Sequence, residues 1–225
     1  MSLIQRALKS LRNRGLTATM DSVLCVIEDR VFDWRYSTST GGYRPLRDLS
    51  IQSDNAAHGV NYYPSRIRPF RRLMRSLNLS SENGFVDYGS GKGRVLLAAA
   101  LMGFQRVVGV EFSPELCQVA RQNLQGLQRK LPEIGRVQII DGDAALYAVH
   151  PEDTVFYFFH PFDSTVMEKV VDNIRQSLLA HQRQAYIIYH YPRCREVIEK
   201  SGLFKVLTSP VLDGEQYVVY TNAAG

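Results

Sequence analysis

Phe85-Val86-Asp87-Tyr88-Gly89-Ser90-Gly91-Lys92-Gly93-Arg94 is the stretch that decides the fold. A short apolar run ends in three closely spaced glycines, and a helical pattern follows over Arg94–Leu101. This is a strand, a tight turn and a helix. Glycines at such a turn permit positive φ and let a ligand approach the backbone with no Cβ in the way. A site built so lies at the carboxyl end of a sheet. The glycine spacing is GxGxG, whereas the dinucleotide fingerprint is GxGxxG, which seats a pyrophosphate over a helix N-terminus. Asp87 stands two residues before the first glycine, a position suited to a cationic ligand group and unsuited to a phosphate.

Outward from this turn, short β-rich runs alternate with helical ones. Strands are expected at Phe85–Tyr88, Arg106–Glu111, Arg136–Ile140, Thr154–Phe159, Ala185–Tyr189, Phe204–Leu207 and Gln216–Thr221. Helices are expected at Pro114–Gln128, Ser164–Ala180 and Arg193–Ser201, with a short one near Ala144–Ala148. Strand–helix alternation implies a parallel sheet with helices on both faces. The last two strands have only a loop between them, which fits an antiparallel hairpin. The fold class is therefore α/β: a three-layer, Rossmann-like, seven-stranded, mostly parallel sheet with a final antiparallel hairpin strand and an N-terminal helical extension. Residues 1–60 are read as that extension and a connector, and 61–225 as the main domain.

Ahead of the sheet, Ser2–Leu16 reads as a basic amphipathic helix and Asp21–Tyr36 as a second helix. The stripe of the second is Val23, Leu24, Ile27, Val31 and Phe32. Ser65–Leu79 is helical too, with Arg66, Arg68, Arg71, Arg72 and Arg75 on one side. That side reads as a solvated face or as a phosphate-binding one.

Composition narrows the class. The 225 residues carry a net charge of +5, too small an excess to choose among nucleic acid, acidic protein and anionic surface. Cys25, Cys117 and Cys194 are far apart and form no CxxC pair, so no metal or redox motif is visible, and buried reduced thiols are expected. No apolar run approaches the roughly 18 to 20 residues of a membrane span. The expected location is cytoplasmic.

The segment Asp87–Arg94 resembles motif I of the class I S-adenosylmethionine (SAM)-dependent methyltransferases. Two further segments extend the resemblance. Val107-Val108-Gly109-Val110-Glu111 ends in an acid 18 residues after Gly93. Val137–Ala144 ends in Gly-Asp-Ala. The resemblance covers about Gly84 to Thr221 and implies SAM as cofactor, with S-adenosylhomocysteine (SAH) as product. It implies that Asp87, Gly89, Ser90, Gly91 and Gly93 wrap the methionine and ribose portions, that Glu111 accepts from the ribose hydroxyls, and that Asp143 and Ala144 meet the adenine. Read from its position alone, Asp143 is equally a helix N-cap. More loosely, the run through Tyr62-Tyr63-Pro64-Ser65 is similar to uncharacterised bacterial methyltransferases and to lysine methyltransferases of the Dot type, which implies a cofactor-covering role for Tyr63.

The acceptor side of such a fold begins after the fourth strand, here Phe158-Phe159-His160-Pro161-Phe162-Asp163. Amine-methylating relatives carry Asn or Asp, then Pro-Pro and an aromatic; this chain substitutes His160 and lacks the second proline. His160 is thus a candidate base or wall residue and Phe162 a candidate aromatic wall. His190 and Tyr191 are candidates for the same opening, or an ordinary strand-end turn. The expected activity is methyl transfer to a protein side chain such as lysine. The alternatives are a small-molecule or RNA acceptor, the latter through the Arg66–Arg75 helix, and a SAM-binding protein without transfer. A nicotinamide oxidoreductase fits the GxGxG spacing and Asp87 poorly. Oligomeric state is not readable.

Overall fold

The computed structural model of the protein describes residues 16–222, so the amphipathic helix expected at Ser2–Leu16 lies outside the described residues except for Leu16. Two helices come first, α1 (Leu16–Tyr36) and α2 (Ile67–Leu77). Then follow β1 (Gly84–Tyr88), α3 (Arg94–Leu101), β2 (Arg106–Glu111), α4 (Pro114–Lys130), β3 (Arg136–Asp141) and β4 (Asp153–Phe159). The chain continues with α5 (Ser164–Ala180), β5 (Tyr186–His190), α6 (Arg195–Lys200), β6 (Phe204–Thr208), β7 (Val211–Leu212) and β8 (Glu215–Asn222).

The strands form one sheet in the order β3-β2-β1-β4-β5-β8-β6. The first five pair in parallel. β8 runs antiparallel between β5 and β6. Every residue of β1 is buried, as a strand covered on both faces must be. One apolar cluster lies on each side of the sheet. The first joins Val86, Tyr88 and Phe158 to α5; the second joins Phe85, Val107 and Tyr157 to α2 and α3. Local signals set the helix starts. Ser113 caps α4 by accepting from the Leu116 amide, with Pro114 at the first helical position, and Asp163 caps α5 by accepting from the Thr165 amide.

Three expectations are corrected. There are eight strands, not seven, because the two residues of β7, off the main path of the sheet, fold back as a hairpin on the start of β8. Asp213 and Gly214, both at positive φ, make the two-residue turn that pairs β7 with β8. The short helix near Ala144 is a 3-10 turn, Ala144–Leu146. The apolar stripe of α1 mostly faces away from the core: Phe32 is buried, while Val23, Leu24, Ile27 and Val31 are exposed. The cause is Asp29, which is buried on the inward side and paired with Arg66 and Arg94. An ion pair there fixes the rotation of the helix.

The arginines of α2 are largely committed within the fold. Arg66 pairs with Asp29 at 2.8 Å, and Arg68 and Arg72 converge on the buried carboxylate of Asp213 at 3.3 and 2.6 Å. Arg71 lies over the Phe32 ring. The phosphate-binding face expected as one reading of this helix is therefore mostly internal pairing.

Candidate functional site

The sheet order reverses between β1 and β4, and a crevice opens outside the carboxyl ends of the strands at such a point. A cavity of about 910 Å³ lies there, within the usual size range of small-molecule sites. Asp87, Gly89, Ser90, Glu111, Tyr63, Phe159, His160 and Tyr191 are among its walls.

The glycine loop sits where the sequence places it, and its glycines are enforced by neighbours as well as by φ. Gly89 and Gly91 have φ of 75° and 55°. A Cβ on Gly89 would collide with Pro161, and one on Gly91 would collide with the ring of Tyr62. The loop is tied to β2 by the Gly89 and Ser90 amides, which donate to the Val110 carbonyl at 2.8 and 3.2 Å. The Ser90 hydroxyl is buried without a hydrogen-bond partner among the described residues.

Two carboxylates form the floor. Asp87 is 3% exposed and Glu111 4%. Burial, reinforced by the negative charge of Glu111, raises the Asp87 carboxyl well above the usual carboxylate range. Burial likewise raises Glu111 to about 7, against the pull of backbone amides. The Gly91 amide donates to its Oε2 at 2.8 Å and the Ser113 amide to its Oε1 at 3.0 Å. Neither acid has an ion-pair partner among the described residues. Two buried acids that repel each other and lack an ion-pair partner among the described residues are costly, and a cationic ligand relieves that cost.

Asp143 and Ala144 line a separate narrow cleft of about 30 Å³ beside the main cavity, with Phe112, Pro161 and Phe162. Asp143 is the N-cap that its position allowed, accepting from the Ala145 amide at 2.8 Å. It also accepts from the Ser53 hydroxyl at 2.6 Å and the Asn55 amide at 2.7 Å. Burial alone would raise this carboxyl, but these donors outweigh it and hold the group below its ordinary value. A carboxylate offers about four lone-pair sites, so one remains beyond the three in use.

On the acceptor side the two candidates separate. His160 faces the main cavity at φ 39°, and Tyr191, the residue after β5, does so at φ 53°. Left-handed backbone at two bulky residues concentrates strain at the ends of β4 and β5. Burial, then the nearby Arg193, lowers the His160 pKa, so its imidazole is neutral at pH 7. Its Nδ1 lies 3.3 Å from the Tyr189 hydroxyl. Phe162, by contrast, is packed in the core against Phe158 and reaches only the narrow cleft, so it is not a wall of the main opening. The turn at His160-Pro161 directs it inward. His190 is fully buried, stacked between Phe159 and Tyr217 at 4.0 and 4.4 Å. Its Nε2 lies 2.8 Å from Glu215.

Several contributors escape a sequence reading. Arg94, 4% exposed, bonds Thr40 and the Ser65 carbonyl and pairs with Asp29 and Asp33. It clamps the 38–42 loop and α1 to the glycine turn. Tyr62 covers Gly91 and donates to the Thr40 carbonyl at 2.7 Å. Tyr63 is 58% exposed at the cavity mouth and packs on Tyr43. A Tyr-Tyr-Pro sequence marks the neighbourhood of Tyr62; nothing local marks the partners of Arg94.

A parallel sheet with its order reversed at β1/β4, an antiparallel penultimate strand, and acids at the ends of β1 and β2 and just beyond β3 together define the class I, Rossmann-like methyltransferase fold. Residues 85–180 match the family model of the methyltransferase domain. The chain is 35% identical over 78 residues to the ribosomal protein L11 methyltransferase of Geobacter metallireducens. That match covers 34% of the chain and 25% of the relative, so it spans only a quarter of the relative's length. Among solved structures, an RNA methyltransferase from Salinibacter ruber in complex with SAH aligns with a TM-score of 0.53 at 20% identity, over 72% of this chain and 95% of the other. A TehB-like SAM-dependent methyltransferase from Corynebacterium glutamicum aligns at 0.52 and 17%, over 70% and 89%. The fold is thus that of the class I SAM-dependent methyltransferases, and residues 85–180 match the methyltransferase-domain family model.

Proposed function

We propose that the protein transfers a methyl group from SAM to a protein side chain, with lysine as the favoured acceptor. The observation that carries the cofactor part is the buried pair Asp87 and Glu111, without an ion-pair partner among the described residues, beside a glycine loop packed so closely on Pro161 and Tyr62 that Gly89 and Gly91 leave no room for a Cβ. In this reading Asp87 receives the cationic methionine end of the ligand, and the buried Ser90 hydroxyl gains a partner. Glu111 takes the ribose hydroxyls, and Asp143 and Ala144 the adenine edge through the one free acceptor position. Gly89, Gly91 and Gly93 give the backbone its close approach, and Tyr63 covers the mouth. SAM supplies an activated methyl on a sulfonium, so the protein's task is positioning and exclusion of water.

His160 is a group at the acceptor side able to take a proton, and its neutral state leaves it ready to do so. A cavity with Tyr43, Tyr63, Phe159 and Tyr191 among its walls suits an extended aliphatic amine. The pairing of Arg66, Arg68 and Arg72 with acids weighs against an RNA surface on α2. The curated relative's action on a ribosomal protein agrees with a protein acceptor.

The test is incubation of the protein with methyl-labelled SAM and a cell lysate, followed by separate nuclease and protease digestion. Label resistant to nuclease, released by protease and recovered as methyl-lysine is the expected result. Label confined to RNA or to small molecules would overturn the acceptor assignment.

A further inference from the structure

Because β8 runs antiparallel, its first residues lie at the end of the sheet where the parallel strands finish. His190, the last residue of β5, pairs with Tyr217, and the Tyr191 amide donates to the Gln216 carbonyl at 3.0 Å. Glu215, the first residue of β8, is thereby carried past the end of β5 and into the wall of the main cavity. In the order β1-β4-β5-β8 it stands three strand steps from β1, roughly 14 Å at about 4.8 Å per step. Asp87 on β1 and Glu111 on β2 lie on the other side of the point where the order reverses. Glu215 is therefore on the acceptor side of the crevice, beyond His160 and Tyr191.

This carboxylate is held at one oxygen and open at the other. Its Oε2 lies 2.8 Å from Nε2 of His190. Among the described residues no group donates to Oε1, and no lysine or arginine lies within ion-pair distance. The side chain is 22% exposed. His190 is fixed from several directions. Its ring is stacked between Phe159 and Tyr217, its Nδ1 lies 3.3 Å from the Tyr157 hydroxyl, and that hydroxyl lies 3.1 Å from the Ser65 hydroxyl. A carboxylate only accepts, so Nε2 carries the ring hydrogen. Burial keeps the imidazole neutral against the pull of Glu215, which leaves Nδ1 to accept from Tyr157, and Tyr157 to accept from Ser65. Ser65, Tyr157 and His190 are buried, and the carboxylate at the end of their row is the member that reaches the cavity. A side chain whose support is locked in this way is preorganised for a ligand. Joining β5 to β8 needs no charge, because the ladder already does so and an amide would serve His190 equally well.

We infer that Glu215 is the specificity-determining residue of the acceptor side and receives the side-chain ammonium of the incoming lysine, with His190 as its positioning residue. This rests on the lysine acceptor proposed above. Phe159 and Tyr191, with ring centroids 6.1 Å apart, stand in the same wall and suit the aliphatic stem that carries the ammonium. Arg66, Arg94 and Arg193 also line the cavity. The first two pair with Asp29, and Arg193 acts on His160. The negative charge of Glu215 is thus left for a ligand.

The experiment is an NMR titration of the full chain, with and without saturating SAH, by two probes. One is Nα-acetyl-lysine methylamide and the other its norleucine analogue, which lacks the amine. Wild type, Glu215→Gln and Glu215→Asp are compared, and the ring nitrogens of His190 are followed in wild type. Glutamine keeps an acceptor for His190 and removes the charge. Wild type is expected to bind the lysine probe at least about tenfold tighter than the norleucine probe. The lysine probe alone should shift the His190 Nε2 resonance, because it shares Glu215. Glu215→Gln should lose the preference at unchanged SAH affinity, and Glu215→Asp should keep part of it. Equal affinity of wild type for the two probes, an unmoved Nε2 resonance, or a preference that survives in Glu215→Gln would overturn the inference. If Glu215→Gln does not fold, the two wild-type readouts still decide. Labelling of a lysate with methyl-labelled SAM separates this inference from the reading beneath it. Methyl-lysine formed equally by wild type and Glu215→Gln removes Glu215 and leaves lysine transfer standing. An amine preference that depends on Glu215, with no methyl-lysine formed, keeps the cation site and removes lysine transfer.

Discussion

Glu111 shows how one residue couples site and stability. Its carboxyl is buried and raised to about 7, mainly by desolvation, while in the unfolded chain it titrates near 4.5. Between those values the unfolded state has lost its proton and the folded state has kept it. Stability therefore falls as pH rises from about 4.5 through 7, by on the order of 3 kcal/mol for this group. Urea unfolding of wild type and Glu111→Gln across that window should show a markedly smaller fall in the variant. An equal fall in both proteins would contradict the assigned cause. At this scale Asp87 and Glu111 are legible in the sequence because strand ends and glycine spacing are local signals. Asp143 is legible in both its readings, and the described geometry contains the cap. The position of Phe162 is not legible. An aromatic after a proline says nothing of direction, and the left-handed turn at His160 sends the ring into the core.

Between residues and fold stand the elements, and here Arg94 has the largest reach. It joins α1, the 38–42 loop and the segment before α2 to the start of α3. Removing one partner of a buried ion cluster strands the others, at a cost of about 3 to 5 kcal/mol. Arg94→Met should lose stability on that scale in urea titration, whereas a change below about 1 kcal/mol would mean the acids find other partners. The sequence places Arg94 in the key motif but not its acids, which lie more than sixty residues earlier. The same blindness explains α1: periodicity identifies a stripe, not which way it faces, and buried Asp29 decides that. The β7–β8 hairpin is a different case. Asp213-Gly214 is a strong two-residue turn signal, but Val211–Leu212 is too short a run to be read as a strand.

For the whole molecule, alternation of strand and helix was enough to reach a parallel sheet with an antiparallel end. The order β3-β2-β1-β4-β5-β8-β6 puts the reversal between β1 and β4, where the crevice opens. What the alternation does not contain is the covering of the site by residues 38–65, because that segment has no period and is held by scattered side-chain contacts. Tyr62 on Gly91, Ser53 and Asn55 on Asp143, and Lys92 on the Gly41 carbonyl are the chief ones. The central claim is that this covered crevice binds SAM through two buried acids. It is tested most directly by calorimetric titration of the protein with SAH and SAM, with NADH as control, in wild type, Asp87→Ala and Glu111→Ala. Micromolar binding of SAH and SAM, none of NADH, and at least a tenfold loss in each variant are the results expected. Binding of NADH instead, no binding of either SAM or SAH, or full affinity in both variants would contradict the account.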